Sequence, residues 1–354
     1  VLIWDAKETN MEAKRNWLPV DHIYLGDSRA MLKEIEPDSV ACSIWSPPYH
    51  TGKSYERDLS FDEGMNLLRR VIELHFPILK PGGFLAINIA DILSFQDPEM
   101  PKIQAENLNK KRSSVTRDEV LGAMNKYPNY SRDQLADVLN CSEQTIDRRL
   151  HGNNARGGKR SNQTRVKLVG GILEEAALSA GLYLYDRRVW IKDPAWANCQ
   201  WHSVSYRSVD EFEYIYIFWK PGVTQVNRNR LEKGEWGKWG SRGVWYFPSV
   251  RANREHEAMF PEELPRRLIR LLTDPGEVIL DCFVGSGTTA VAAIKEGRRF
   301  IGIDLTEKYV EVAKRNCKKA LESQKLDVNP QLIHEKPLGI TEWGCTRKKS
   351  NGTT

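Results

Sequence analysis

The chain has 354 residues, is 40% hydrophobic and 28% charged, and carries a net charge of +5; this suits one large or two ordinary globular domains with a sizeable core. No apolar run approaches the ~18 residues needed to span a bilayer, and Val1–Arg15 lacks the apolar stretch of a secretory signal. The six cysteines (Cys42, Cys141, Cys199, Cys282, Cys317, Cys345) include no Cys-x-x-Cys pair, which argues against zinc and a disulfide framework and for a reducing cytoplasm.

In chain order, His22–Gly26 reads as a short strand, followed by Asp27-Ser28 and a helix around Ala30–Ile35. Val40–Trp45 is apolar almost throughout, as a strand covered on both faces would be. It runs into Ser46-Pro47-Pro48-Tyr49, where two prolines fix φ and remove two N–H donors. Carbonyls beside them, the Ser46 hydroxyl and the flat face of Tyr49 could hold a planar ring that bears an amino group. A Pro-Pro turn with Tyr49 as packing is the plainer alternative. His50–Ser60 reads as a polar loop beside the site, with Lys53 and Arg57 as its candidate contacts. Phe61–Leu79 has apolar residues at helical spacing and stops at Lys80-Pro81-Gly82-Gly83; Phe84–Ala90 is a third strand.

The pattern then changes. Lys102–Lys167 holds 14 Lys and Arg against 7 Asp and Glu, the footprint expected of a nucleic-acid contact. Asp91–Thr116 is polar, Arg117–Leu150 is helical and basic, and His151–Arg165 is a Gly/Asn/Arg linker that contains Arg156, Lys159 and Arg160. Alternation resumes with a helix at Val166–Ala180, strands at Leu184–Lys192 and Glu213–Lys220, and a helix at Glu262–Thr273. Strand Val278–Phe283, helix Gly285–Glu296, strand Phe300–Leu305 and helix Thr306–Leu321 follow. Seven strands alternating with helices predict an α/β fold: an open, mostly parallel Rossmann-like sheet with helices on both faces and a helical insertion. The expected boundaries are 20–90, the insertion 91–165, then 166–325, with a tail at 326–354.

Asp281-Cys282-Phe283-Val284-Gly285-Ser286-Gly287-Thr288-Thr289-Ala290 reads as strand, tight glycine loop and helix start. Glycines let backbone approach a ligand, and a helix N-terminus offers free N–H groups to a carboxylate or phosphate. Asp304 follows Gly285 by 19 positions, where an acidic residue accepts ribose hydroxyls. A nucleoside-containing cofactor is expected. The pattern Gly-x-Gly-x-x-Ala formally admits a dinucleotide, but the absence of Gly-Lys-Ser/Thr gives a triphosphate P-loop no support.

Taken together, the Ser-Pro-Pro-Tyr turn and the Asp-x-Phe-x-Gly-Ser-Gly-Thr-Thr loop with its downstream Asp304 resemble the amino-group DNA methyltransferases. The order, turn first and loop last, resembles their permuted beta class, over residues 20–90 and 166–320. The resemblance implies S-adenosylmethionine as cofactor, double-stranded DNA as substrate, base flipping and a cognate restriction endonuclease as partner, with no metal and no membrane. It also implies a prokaryotic cytoplasmic location, nucleoid-associated while acting on DNA. It assigns Asp281, Phe283, Gly285, Gly287, Thr288 and Thr289 to the methionine side, with Cys282 and Ser286 also cofactor-binding, Asp304 to the ribose and Asp27 to the adenine. Phe260 and Pro261, in His256-Glu257-Ala258-Met259-Phe260-Pro261, resemble the segment that closes over the methionine end. Cys282 and Glu257 depart from the commoner proline. Ser46, Pro47, Pro48 and Tyr49 become the catalytic turn. Relatives with Ser first mostly methylate cytosine N4 and those with Asp mostly adenine N6, so Ser46 favours cytosine, with adenine N6 as alternative.

Tyr130–Leu150 resembles a helix-turn-helix. Ser131 and Ser142 would cap its helices, Asn140 would occupy the turn, and Gln144, Thr145, Arg148 and Arg149 would enter the major groove. A second recognition candidate is Trp196–Arg254, with His202, Arg207, Lys238 and Arg242 as DNA contacts and Trp190, Tyr214 and Trp219 as core. Two other classes remain: a DNA-binding regulator on a vestigial methyltransferase fold, and an NAD-linked dehydrogenase.

Overall fold

The computed structural model describes residues 16–48, 60–97, 99–100, 114–152, 164–194, 208, 210–250 and 259–327. The elements in chain order are β1 (His22–Leu25), α1 (Ser28–Met31), β2 (Val40–Trp45), α2 (Phe61–Ile78), β3 (Leu79–Ile89) and β4 (Ile92–Gln96). Then come α3 (Arg117–Lys126), α4 (Arg132–Val138), α5 (Glu143–His151), β5 (Thr164–Lys167), α6 (Gly170–Ser179), β6 (Tyr183–Ile191) and β7 (Phe212–Trp219). The chain continues through β8 (Val244–Tyr246), α7 (Glu263–Leu272), β9 (Val278–Asp281), α8 (Thr288–Lys295), β10 (Arg299–Asp304) and α9 (Glu307–Asp327).

One sheet runs β1-β10-β9-β2-β3-β7-β6-β8. The pairs from β1 to β3 are parallel, β7 is antiparallel to both its neighbours, and β8 is parallel to β6. The central strands are buried along their length: every residue of β2 is buried, as are Phe84 to Ile89 of β3. Two apolar cores lie on the two faces. One packs α2 and α6 residues such as Leu68, Ile72, Leu173 and Ala177. The other packs Leu264, Leu268 and Ile269 of α7 with Ala292 and Ala293 of α8 and Ala313 of α9. Helix α2 starts with a full capping box, Ser60 and Glu63 each bonding the other's backbone.

The α/β architecture follows the sequence reading, with one correction: the sheet has eight strands, not seven. The added β8 is three residues long and ends a stretch rich in Gly and Trp, Gly234 to Trp245, so it carries no readable alternation; the buried Trp245 holds it. The expected stop at Lys80–Gly83 lies within β3, because Gly82 N–H bonds Lys220 O and Lys220 N–H bonds Gly83 O across to the end of β7. The helix expected from Val166 begins at Gly170, since Val166 and Lys167 belong to β5.

Strands β4 and β5 form a separate antiparallel pair. They make a two-stranded stem that leaves the main sheet just after β3 and returns just before α6. Beyond the stem stand α3, α4 and α5, three helices with a core of their own around Val120, Ala123, Leu135, Ala136 and Ile146. Asn140 takes φ 49° at the α4–α5 turn, and the Ser142 hydroxyl accepts the Thr145 N–H, as expected. Helix α3 makes the unit three helices where the sequence was read as a pair.

Candidate active site

Parallel strands end on one edge, and ligand sites in such sheets gather at that edge. The register brings four loops together there. Ser43 of β2 sits opposite Leu280 of β9, Gly302 of β10 opposite Asp281, and Leu25 of β1 opposite Asp304. The Ser46 turn, the Asp281–Gly287 loop, Asp304 and Asp27 therefore stand in a row.

The row is bonded laterally. The ring of Trp45, the last residue of β2, meets Phe283 edge-on with centroids 5.3 Å apart. Gly285 N–H donates to Asp304 Oδ2 at 2.9 Å, and Thr306 N–H donates to Oδ1 at 2.8 Å. The Ser28 hydroxyl donates to the Cys282 carbonyl at 2.5 Å, and Gly26 N–H to the Asp304 carbonyl at 2.9 Å. Gly287 needs to be glycine: its φ is 86°, and a Cβ would lie 3.0 Å from Ala313 of α9.

Asp281 is buried, and Phe283 N–H donates to its carboxylate at 3.0 Å. Burial drives its pKa up to about 7, helped by the nearby Asp304 charge. The Thr289 hydroxyl beside it opposes that rise; its Oγ1 is buried, and among the described residues no partner meets it in good hydrogen-bond geometry. Burial pushes the Cys282 thiol well above its usual range, so no thiolate is available there. Its side chain lies in the core, and only its backbone serves the loop.

Asp27 caps α1 through the Arg29 N–H and pairs with the Arg29 guanidinium at 2.5 Å. That contact holds its carboxyl below the ordinary range. On the far side of the loop, Phe260, Ser286, Thr288 and Asn316 line a cleft of ≈ 440 Å³. Pro261 accepts the Leu264 N–H just before α7. Ser46 and Pro48 are half-buried and Pro47 is buried. Tyr49, Lys53, Arg57, Arg156, Lys159, Arg160, His202, Arg207 and His256 to Ala258 lie outside the described residues.

One residue escaped the sequence reading. His75 of α2 is wholly buried, its Nδ1 is 2.7 Å from Val71 O, and its Nε2 is 2.9 Å from Ser43 Oγ and 3.3 Å from Trp45 Nε1. The Ser43 hydroxyl also lies 3.2 Å from Leu280 O. His75 thus ties α2 to the strand that delivers the Ser46 turn. Its place on the helical stripe with Leu68 and Ile72 was the available signal, but the stripe alone reads as core.

On the insertion, Gln144 and Arg148 are exposed on α5, and Thr145 is half-buried. Arg149 is exposed overall, but its Nε donates to Val115 O at 2.6 Å, which ties it to the unit's own core. Lys238 and Arg242 are exposed, and Trp190 is buried beside Trp239 and Trp245 in the second core. Tyr214 and Trp219 are half-buried. Among the described residues, no group of three or more His, Cys, Asp or Glu could hold a metal ion, and no helix is long and apolar enough to cross a membrane.

Comparison with known proteins adds the lineage. The profile of the DNA methylase family N6_N4_Mtase matches residues 40–315. The type II methyltransferase M.BglI of Bacillus subtilis is 59% identical over 301 residues, covering 85% of this chain and 86% of that protein. M.XycI of Xanthomonas campestris pv. cyanopsidis is 33% identical over 302 residues, covering 82% and 85%. A putative DNA modification methylase of Thermus thermophilus, solved with S-adenosyl-L-methionine, superposes with TM-score 0.55 at 23% identity, covering 85% of this chain and 94% of that one. PvuII DNA methyltransferase, described as cytosine-N4-specific, superposes with TM-score 0.51 at 17% identity, covering 87% and 92%. At these identities the two structures speak to the fold.

Proposed function

Since the chain belongs to the DNA methylase family, as an amino-group methyltransferase of the permuted beta class, we propose that it methylates the N4 amine of a cytosine in double-stranded DNA, with S-adenosylmethionine as donor. The observation that carries this reading is the contact of Trp45 with Phe283, which sets the Ser46 turn directly beside the glycine loop. A catalytic turn and a cofactor loop serve one reaction only if they share an edge.

The donors and acceptors at that edge fit the cofactor. Asp304 and Asp281 offer carboxylates, the start of α8 offers N–H groups, and the buried Thr289 hydroxyl stands beside Asp281. When bound, S-adenosylmethionine supplies a methyl on a positively charged sulfur. The remaining work belongs to the chain. Cytosine's amine is a poor nucleophile because its lone pair is delocalised into the ring. The Ser46 hydroxyl and the carbonyl region of Pro47 accept the amine hydrogens, which favours a tetrahedral nitrogen with its lone pair free. Holding that nitrogen in line reduces the entropic part of the barrier. No covalent enzyme intermediate is needed, in keeping with a Cys282 thiol held protonated.

Serine rather than aspartate at position 46 supports cytosine over adenine. The helical unit, with Gln144 and Arg148 exposed on α5, is the proposed reader of the DNA site. Relatives named as type II methyltransferases support a protective role beside a restriction endonuclease of the same specificity. The test is transfer of label from tritiated S-adenosylmethionine to DNA, followed by nucleoside separation. Label in N4-methylcytosine is the expected result; label in N6-methyladenine would overturn the target base while leaving the reaction intact.

A further inference from the structure

The helical unit has its own core, and it joins the body through the β4–β5 stem. The chain enters and leaves the unit through that stem, so the seat of the stem on the body limits where the unit can stand. Phe95 of β4 meets Phe61, the first residue of α2, edge-on at 5.1 Å. The Lys167 ammonium lies 4.1 Å from the centroid of the Phe61 ring and 4.7 Å from that of Phe95. Among the described residues no carboxylate pairs with Lys167; its partners are two ring faces. A half-buried ammonium held by π faces is a specific contact, since the rings' negative faces attract it electrostatically.

The other end of α2 holds the catalytic strand. Helix α2 is 18 residues long, a rod of about 27 Å. Phe61 stands at its start and His75 in its last turn, bonded to Trp45 and Ser43 of β2. A single rigid element thus touches both the stem of the insertion and the strand that ends at Ser46. We infer that Lys167 is a positioning residue: clamped between Phe61 and Phe95, it sets the helical unit in register with the Ser46 turn, so that DNA engaged by the unit is presented for reaction. This rests on the reading that the unit binds DNA.

A position-setting contact and a merely stabilising one differ in what they move. Loss of a stabilising contact lowers stability or DNA affinity. Loss of a positioning contact leaves both in place and slows the reaction of bound DNA. The test uses the full chain with PCR-amplified, hence unmethylated, genomic DNA and tritiated S-adenosylmethionine. Lys167→Met keeps the length and apolar stem of the side chain and removes the charge; Lys167→Arg keeps a cation over the rings. The expected result for Lys167→Met is an about tenfold slower single-turnover rate at saturating DNA, with DNA affinity and melting temperature within experimental error of the parent. Lys167→Arg is expected to recover the rate to within about twofold. A parental rate in Lys167→Met, an equally slow Lys167→Arg, or a rate loss that tracks lost DNA affinity would each overturn the inference. Arg148→Ala, measured alongside, tests the underlying reading by itself. Weakened DNA binding in Arg148→Ala upholds that reading whatever Lys167→Met does; parental binding removes it, and the inference with it.

Discussion

His75 offers the sharpest test of how the edge is built. Val71 O can only accept, so Nδ1 at 2.7 Å carries the proton and Nε2 is left as acceptor for Trp45 and Ser43. A second proton on Nε2 would face the indole N–H. Burial drives the pKa from its ordinary 6.5 down to about 4, against the smaller opposing pull of the Val71 carbonyl. The sign follows from which state takes the proton. Below about pH 6.5 the unfolded chain protonates His75, while the folded chain does so only near pH 4. The stability involved is therefore fully present above pH 6.5 and is lost as pH falls from 6.5 to 4. Between pH 7 and pH 5 this single group removes about 2 kcal/mol. Replacing His75 by Gln keeps an acceptor for Trp45 and removes the titration. Urea unfolding of both proteins at the two pH values isolates the term, because every other titrating group cancels in the difference. The parent should lose about 2 kcal/mol more than His75→Gln between pH 7 and pH 5. Equal losses would refute the tautomer, the burial argument and the role given to His75.

Two further outcomes bear on the reaction itself. Ser46→Ala should slow methylation at least tenfold, about 1.4 kcal/mol in the barrier, while cofactor affinity stays within twofold; a parental rate would remove the hydroxyl from the chemistry. Asp281, with its pKa raised to about 7 by burial, is neutral below that pH and anionic above it. Affinity for the cationic cofactor should therefore rise about tenfold from pH 6 to pH 8, following the ionised fraction. Asp281→Asn should flatten that profile, and calorimetry at the two pH values checks it. Equal affinity at both would mean that the carboxylate charge does not reach the cofactor.

Much of this molecule is written locally. Val40–Trp45 is apolar without alternation, so it reads as a doubly covered strand wherever it sits. Two prolines dictate the Ser46 turn through their own geometry. Gly285 and Gly287, both at positive φ, announce the tight loop because other residues resist that conformation. Ser142 marks a helix start through its own side chain. Each signal spans a few residues and depends on nothing distant, which is why elements, motifs and family were legible from the sequence.

Adjacency was not legible, because it depends on partners far along the chain. Trp45 meets Phe283 only because β2 pairs with β9, Ser43 opposite Leu280 across 237 positions of sequence. β8, three residues long, is a strand by virtue of its register against Val189 to Ile191 and the burial of Trp245. The β4–β5 stem and the seat of Lys167 on Phe61 bring together residues about 70 to 100 positions apart. His75 is an ordinary stripe residue in sequence and becomes the acceptor for a buried indole only when α2 packs on β2. The sequence determined which pieces form and which chemistry they carry, since backbone preference and side-chain type act locally. The tertiary structure alone decided which pieces touch, since strand pairing and burial select one arrangement from many that the local signals allow.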